Sequence, residues 1–301
     1  MALPSSQPSP HDKGLPAPRV AGPQPLRFWR ANEITPTHLS VFRTCPYQFR
    51  LQYIERVTTP WRYEHTLSQG RIAHGLLADA GRRLQHGATL LRDIQLEERA
   101  RRAVPVREMP SPEAHDAAVR EILEWVAAGI RYLRRDPDGA MLLVEGNQKR
   151  AFPGDLRISV SFRPDVVRWS ADADGEFIEV IDYKTGKPRV DPCVPVISRF
   201  VINPLLEDRL GRIAWGERVW FTYVWLRSND ATSIELDRRT CQEAWAATTD
   251  LIERLLAEAA WEPTPSPLCR WCRFYRVACD AGDLAHTRSP GLLFGGPGDL
   301  A

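Results

Sequence analysis

Lysine is almost missing from this chain. Of 40 basic residues only four are lysine, namely Lys13, Lys149, Lys184 and Lys187, and two of these fall within residues 180–188, VIDYKTGKP. Arginine fills nearly every other basic position, so a lysine that persists marks a place where a planar, permanently charged guanidinium does not serve. Long apolar runs are lacking as well. None approaches the ~18 residues of a membrane span, and the N-terminus has no signal-peptide core, which predicts a cytoplasmic protein without a membrane partner. Strong charge of one sign is absent: at a formal net charge of +2, composition alone does not announce a polyanionic partner, and a basic groove would have to come from a local arrangement of arginines. No Walker-type Gly-rich loop occurs, so the chain carries no motor of its own. Six cysteines in 301 residues, without a secretion signal, argue against a disulfide framework and for metal or redox use of some of them.

What is present is ordinary for a globular protein, 43% hydrophobic and 26% charged, and is long enough to bury a sizeable core. Residues 1–33 are proline-rich and read as a disordered tail, 286–301 as a second loose end, and 34–285 as the folded domain. Thr35 is an expected N-cap with Pro36 at the first helical position. Apolar residues at helical spacing mark SQGRIAHGLLADAGRRL, residues 113–134 and RTCQEAWAATTDLIERLLAEAAW as helices. LRISVSF alternates like a half-buried strand, ADADGE supplies an Asp-Gly turn, and FIEVIDYK returns. RVWFTYVWLR reads as a strand or a buried helix end, and ATSIELD as a short strand. The pattern predicts an α/β domain with a helical N-terminal part.

In a strand, residues two apart share a face. Asp182 and Lys184 therefore project together, and the hairpin can bring Asp165 beside Asp182. Carboxylates that meet repel unless a cation lies between them, and hard oxygen donors suit Mg²⁺ or Mn²⁺. A neighbouring lysine, whose pKa moves readily, can orient or deprotonate an attacking water. An isolated Asp-x-Lys is more often a surface ion pair. Here, however, FRPDVVRW, a short hairpin and EVIDYKTGK together resemble the PD-(D/E)XK nuclease core, and DYKTG resembles its RecB-like exonuclease branch. That resemblance implies a restriction-endonuclease-like fold, a mixed sheet flanked by helices, with Asp165 and Asp182 as metal ligands and Lys184 as the catalytic lysine. It also implies a metal-site histidine in a GxxxH setting, which QGRIAHGLL supplies as Gly70 and His74. Tyr223, Lys187 and Arg168 are candidates for positioning DNA or water.

PLCRWCRFYRVACD places Cys269, Cys272 and Cys279 close together, far downstream of Cys45. Four thiolates of this kind suit structural Zn²⁺ or an iron–sulfur cluster, and spacing does not choose between them. The cysteine pattern is similar to that of AddB-type subunits and CRISPR-associated exonucleases, in which one cysteine in a CPxxFxxxY context, here CPYQFRLQY, joins three downstream ones on a [4Fe–4S] cluster. The resemblance therefore implies an iron–sulfur staple between the N- and C-terminal segments. Cys193 and Cys241 have no such context. Three departures stand out: six residues rather than five separate Cys272 from Cys279, Phe162 replaces a common glycine, and Val219 replaces the glutamine usual four residues before the tyrosine. The function implied is a metal-dependent DNA exonuclease acting on free single- or double-stranded ends in repair or recombination, with any helicase a separate partner. The alternatives are a CRISPR-adaptation exonuclease, a non-catalytic nucleic-acid-binding module that keeps the fold and cluster, and a zinc-stapled protein with an incidental Asp-x-Lys.

Overall fold

In a computed structural model of the chain, the described residues are 32–59, 65–153, 155–210 and 218–281. Nearly all of both expected tails lies outside them. Thr35 caps α1 (Pro36–Thr44), its hydroxyl accepting from His38 N. Cys45 then caps α2 (Pro46–Phe49), which runs on as a π turn, Arg50–Ile54. Three longer helices follow: α3 (His65–Gln85), α4 (Asp93–Ala103) and α5 (Pro112–Leu133). Ser111 caps α5 through Ala114 N, with Pro112 at its first position. After them come β2 (Ala140–Val144), β3 (Gln148–Phe152), β4 (Asp155–Phe162), β5 (Val166–Asp172) and β6 (Gly175–Lys184). Helix α6 (Cys193–Leu210) crosses over to β7 (Val219–Trp225), and β8 (Asp230–Glu235) and α7 (Arg238–Ala257) complete the regular elements.

The strands form two sheets. A five-stranded mixed sheet has the order β2-β5-β6-β7-β8, and a three-stranded one pairs β3 and β4 with β1 (Glu33–Ile34). The alternating stretch before Asp165 thus belongs to a different sheet from the strand after it, and the chain changes sheets at Arg163-Pro164. Strands β5 and β6 are an antiparallel hairpin turning at Asp172–Gly175, where Gly175 has φ +116. Strands β6 and β7 are parallel, and this pairing needs the long crossover that α6 supplies. RVWFTYVW is a strand and not a helix end.

Alternation along the strands sends side chains to two cores. Val166, Ile181, Tyr183 and Val224 pack with Ala73, Leu77, Val126 and Leu133 of α3 and α5. Val167, Ile178, Val180, Phe221 and Tyr223 pack with Leu39, Phe42, Ile197, Ile202 and Ile252 of α1, α6 and α7. The five-stranded sheet is therefore covered on both faces, as a mixed sheet with a parallel crossover requires. Helices α3 and α5 cross so closely at Gly129 that a Cβ there would lie 2.5 Å from Leu77 Cδ2.

A buried ion pair ties α5 to the sheet. Arg168 Nε donates to Glu179 Oε2 at 2.7 Å, and its Nη1 donates to the Leu133 carbonyl at the α5 C-terminus. The hydroxyls of Tyr132 and Thr222 both donate to Glu179 Oε1, at 2.6 and 2.7 Å. A carboxylate and a guanidinium taken from water are tolerated only when satisfied in this way. This corrects the expectation that Arg168 meets a DNA phosphate: it is only 4% exposed and its donors are turned inward.

Candidate active site

The hairpin register sets the acidic site. Val166 faces Ile181, which puts Asp165, one residue before β5, opposite Asp182 near the end of β6. Asp165 is held from three sides. His74 Nδ1 lies 3.0 Å from its Oδ1, Tyr183 N donates to its Oδ2 at 2.6 Å, and Glu145 N donates to its backbone carbonyl at 3.0 Å. His74 arrives from α3, and Gly70 one turn earlier explains how: a Cβ at Gly70 would sit 3.1 Å from Thr185 Oγ1. The glycine of GxxxH lets the helix lie against the DYKTG turn and brings the histidine onto the strand ends.

Lys184 and Asp182 share a face, as strand periodicity demands. Lys184 Nζ lies 2.8 Å from Asp182 Oδ1 and 2.7 Å from Oδ2, and its ammonium stands 5.9 Å from the centre of the Tyr223 ring. Tyr183 points the opposite way into the α3/α5 core, where burial drives its phenol pKa well up. Burial pushes the Asp182 carboxyl up to about 6, against the pull of Lys184 and with a further push from the charge of Asp165. For His74, burial opposes the charged ring, but the hydrogen bond to Asp165 and its charge outweigh that and raise the pKa.

Sequence reasoning missed Glu145. His74, Glu145 and Asp165 offer ligand atoms that all lie within 4.8 Å of one another. Glu145 follows β2, whose Val144 pairs with Val166, so this strand brings it beside Asp165. It has φ +53, in the left-handed region that a side chain normally avoids. Its carboxylate pairs with Arg163, whose Nε also donates to the Glu145 carbonyl at 3.1 Å. No local signal in VEGN distinguishes this glutamate, because its role depends on a pairing partner twenty residues later. Asp182, expected with His74 and Asp165 as a ligand, stands outside the 4.8 Å group and is engaged by Lys184. Its buried Oδ2 accepts no hydrogen bond of good geometry among the described residues, although Nζ is close. His74 with the carboxylates of Glu145 and Asp165 fits a hard divalent cation.

The other positioning candidates separate. Lys187 is exposed in the turn after β6. Tyr223 is buried on β7, stacked on Trp225, with its hydroxyl donating to the Asp191 carbonyl at 3.1 Å. Val219 lies buried at the start of the same strand. Neither occupies a helix, so the glutamine–tyrosine comparison does not apply at these positions.

The same topology draws Cys45, Cys269, Cys272 and Cys279 around one cleft with Tyr47, Leu51 and Phe274. Cys45 Sγ accepts from Gln48 N and Thr264 N, both at 3.4 Å, and Cys269 Sγ accepts from Ser266 N at 3.3 Å. Burial raises the thiol pKa of Cys272 and Cys279, and the neighbouring thiols add to it. Cys193 and Cys241 lie buried in the core.

A family model described as the PD-(D/E)XK nuclease superfamily matches residues 33–194, more than half of the chain. The chain belongs to that superfamily. Its members are metal-dependent phosphodiesterases, and the matched span contains His74, Glu145, Asp165, Asp182 and Lys184. No curated protein matches the sequence. Solved structures do match, 25 chains in all, among them one titled "Crystal structure of SSO0001". It is 14% identical over 83% of this chain and 87% of that one, with a TM-score of 0.31. Among the described residues no helix is long and apolar enough to cross a membrane.

Proposed function

We propose that this chain is a DNA exonuclease of the RecB-like branch, acting on free ends in repair or recombination. The observation that carries this reading is the placement of Lys184 Nζ against Asp182, on the strand next to the His74–Glu145–Asp165 donor set. A bound Mg²⁺ or Mn²⁺ would offset the charge of the phosphodiester and polarise it toward attack. Asp165, Glu145 and His74 would hold that ion, and Asp182 would orient Lys184. Lys184 would position the attacking water and take or share its proton, which an arginine could not do. The GxxxH and DYKTG motifs support the RecB-like assignment. Where the DNA must be unwound first, the proposed partner is a helicase.

The reading of a [4Fe–4S] staple as the second cofactor rests on the CPYQFRLQY and PLCRWCRFYRVACD resemblance, beside four cysteines that line one cleft. Anaerobically purified protein is expected to be brown, and a colourless protein with stoichiometric zinc refutes the cluster.

The catalytic reading is tested by incubating linear and covalently closed circular DNA with and without Mn²⁺ or Mg²⁺. Linear strands should be degraded only with metal, circles should be spared, and Lys184→Ala should lower the rate by roughly 10³-fold, on the scale of losing a transition-state contact. Metal-independent degradation, or a fully active Lys184→Ala protein, overturns it.

A further inference from the structure

The ion pair between Lys184 and Asp182 fixes a distance but not a direction. Lysine reaches its partner through a flexible four-carbon stem, its side chain here is 42% exposed, and an ammonium can swing about a carboxylate without leaving it. An amine that must meet a water at one point needs a second contact. Strand register supplies one. On the parallel pair β6–β7, Asp182 faces Tyr223 and Lys184 faces Trp225. Val180, two residues before Asp182, lies in the same core as Tyr223 and Trp225, so alternation puts all four side chains on one face of the sheet. The Lys184 ammonium, drawn back to Asp182, therefore arrives beside the residue that Asp182 faces. It stands over the Tyr223 ring, 5.9 Å from the centroid.

That ring is fixed from several sides. Tyr223 stacks on Trp225, with centroids 5.3 Å apart and planes at 19°, and Phe221 packs against it edge-on at 4.9 Å. The Trp225 indole N–H donates to Thr232 Oγ1 of β8 at 2.9 Å, so the backing ring is itself held. At the tip, the Tyr223 hydroxyl donates to the Asp191 carbonyl at 3.1 Å, and burial drives the phenol pKa up, which keeps that proton in place. Asp191 in turn pairs with Arg43 at 2.8 Å and accepts from Cys193 N at the start of α6. At 1% exposure this tyrosine has no surface for a nucleotide base. A buried ring beside an ammonium attracts it through its π face and bars it from swinging toward β7.

We propose that Tyr223 is a positioning residue for Lys184: the face of its ring holds the ammonium against Asp182 in the direction from which the amine meets the attacking water. The proposal rests on the nuclease reading above and deepens it, giving the lysine a second, non-ionic contact that Asp182 alone does not provide. It also gives the buried tyrosine a role that runs through the lysine, in place of the expected contact with DNA.

Two measurements on the full chain test it, the first without any reaction. Because the chain has only four lysines, carbon-13 labelled lysine gives a sparse set of side-chain ε-methylene NMR signals, and Lys184→Arg identifies the one from Lys184. In metal-free protein that signal should lie upfield of the others through the ring current of Tyr223. It should keep its place in Tyr223→Phe and lose the displacement in Tyr223→Leu. The second measurement is cleavage of linear DNA with Mn²⁺. Tyr223→Leu should lower kcat about tenfold, within the range of one desolvated cation–π contact. KM and Mn²⁺ affinity should stay within about twofold of wild type, and Tyr223→Phe should restore most of the rate. In the Lys184→Ala protein, Tyr223→Leu should cost nothing further, since groups that act as a unit are not additive. An undisplaced Lys184 signal in wild type overturns the proposal. So does a loss that persists in the Lys184→Ala background, or a Tyr223→Phe protein as slow as Tyr223→Leu. A displaced signal in a wild-type chain that leaves DNA intact with metal overturns the nuclease reading instead, and the positioning role falls with it while the contact stands.

Discussion

At the acidic site, backbone register does the positioning. The pairing of β5 with β6 and of β2 with β5 fixes Asp165, Asp182 and Glu145, and a helix seated through Gly70 adds His74. The thiol cleft has no such frame. Its four cysteines come from a helix cap, a 3₁₀ turn and the loop beyond it. What holds these together is side-chain packing: Phe49 stacked on Trp261 at 5.8 Å, Phe42 edge-on to the same indole, and Tyr47 Oη bonded to the Ala278 carbonyl. A site fixed by strands keeps its shape when a ligand leaves, so substitutions there should change chemistry more than stability. A site between loops relies on what binds it, so substitutions there should change stability more than chemistry.

The sharpest test of the first half is Asp182→Asn. Cleavage should fall on the order of 10³-fold, yet the metal-free protein should gain stability, because the lost charge was buried and incompletely satisfied. The sign follows from the raised carboxyl. The folded state binds this proton more tightly than the unfolded chain does, so the group's stabilising contribution is full below the unfolded pKa of about 3.9 and is lost as pH rises through about 6. His74, also raised, acts in the same direction at higher pH, with its contribution intact below about 6.5 and lost as pH rises through its folded value. Urea midpoints of metal-free wild type should therefore decline from pH 4 to pH 8. Asp182→Asn should flatten that decline and exceed wild type by about 1–2 kcal/mol at pH 8. A variant less stable than wild type at pH 8 would mean that the carboxylate is a structural member of the sheet end.

Cys272→Ser makes the opposite trade. The segment 262–281 should become sensitive to limited proteolysis and the melting temperature should fall by several degrees, at about 2–4 °C for each kcal/mol lost in a chain of this size. Mn²⁺ affinity at the acidic site should stay within about twofold of wild type, since distant sites are nearly additive. An unchanged melting temperature would show that the Phe42–Phe49–Trp261 packing closes the chain ends without the thiols.

The contrast also explains what the sequence disclosed. The shared face of Asp182 and Lys184 was legible because strand periodicity fixes which side chains lie together, whereas Asp165 and His74 were pointed to by the resemblance of FRPDVVRW and QGRIAHGLL to the family's motifs. The caps Thr35 and Ser266 both follow local rules. Helix α6 was not foreseen because it contains Pro195 and Pro204, and proline argues against a helix interior. Arg168 was misassigned because a basic residue beside a catalytic motif looks like a phosphate ligand. Only the cross-strand position of Glu179 and the arrival of the α5 carbonyls at Leu133 reveal it as a buried tie. Glu145 was invisible for a related reason: β2 had to be paired with β5 before its terminal glutamate could be placed.

Glu145 sharpens the comparison most finely, because register brings it to the metal site while an exposed loop cation competes for it. Arg163 is 62% exposed at the side chain and Glu145 14%, so the pair is worth no more than ~1 kcal/mol. A divalent ion with two further ligands should displace it. Glu145→Gln should then weaken Mn²⁺ binding, measured by calorimetry, by about tenfold or ~1.4 kcal/mol. Arg163→Ala should tighten it by up to about fivefold, because the carboxylate no longer has to leave a guanidinium. The opposite signs carry the point. If both substitutions weaken Mn²⁺, Arg163 is orienting Glu145 through its carbonyl contact and not competing with the ion. The acidic site would then depend on a loop, as the thiol cleft does.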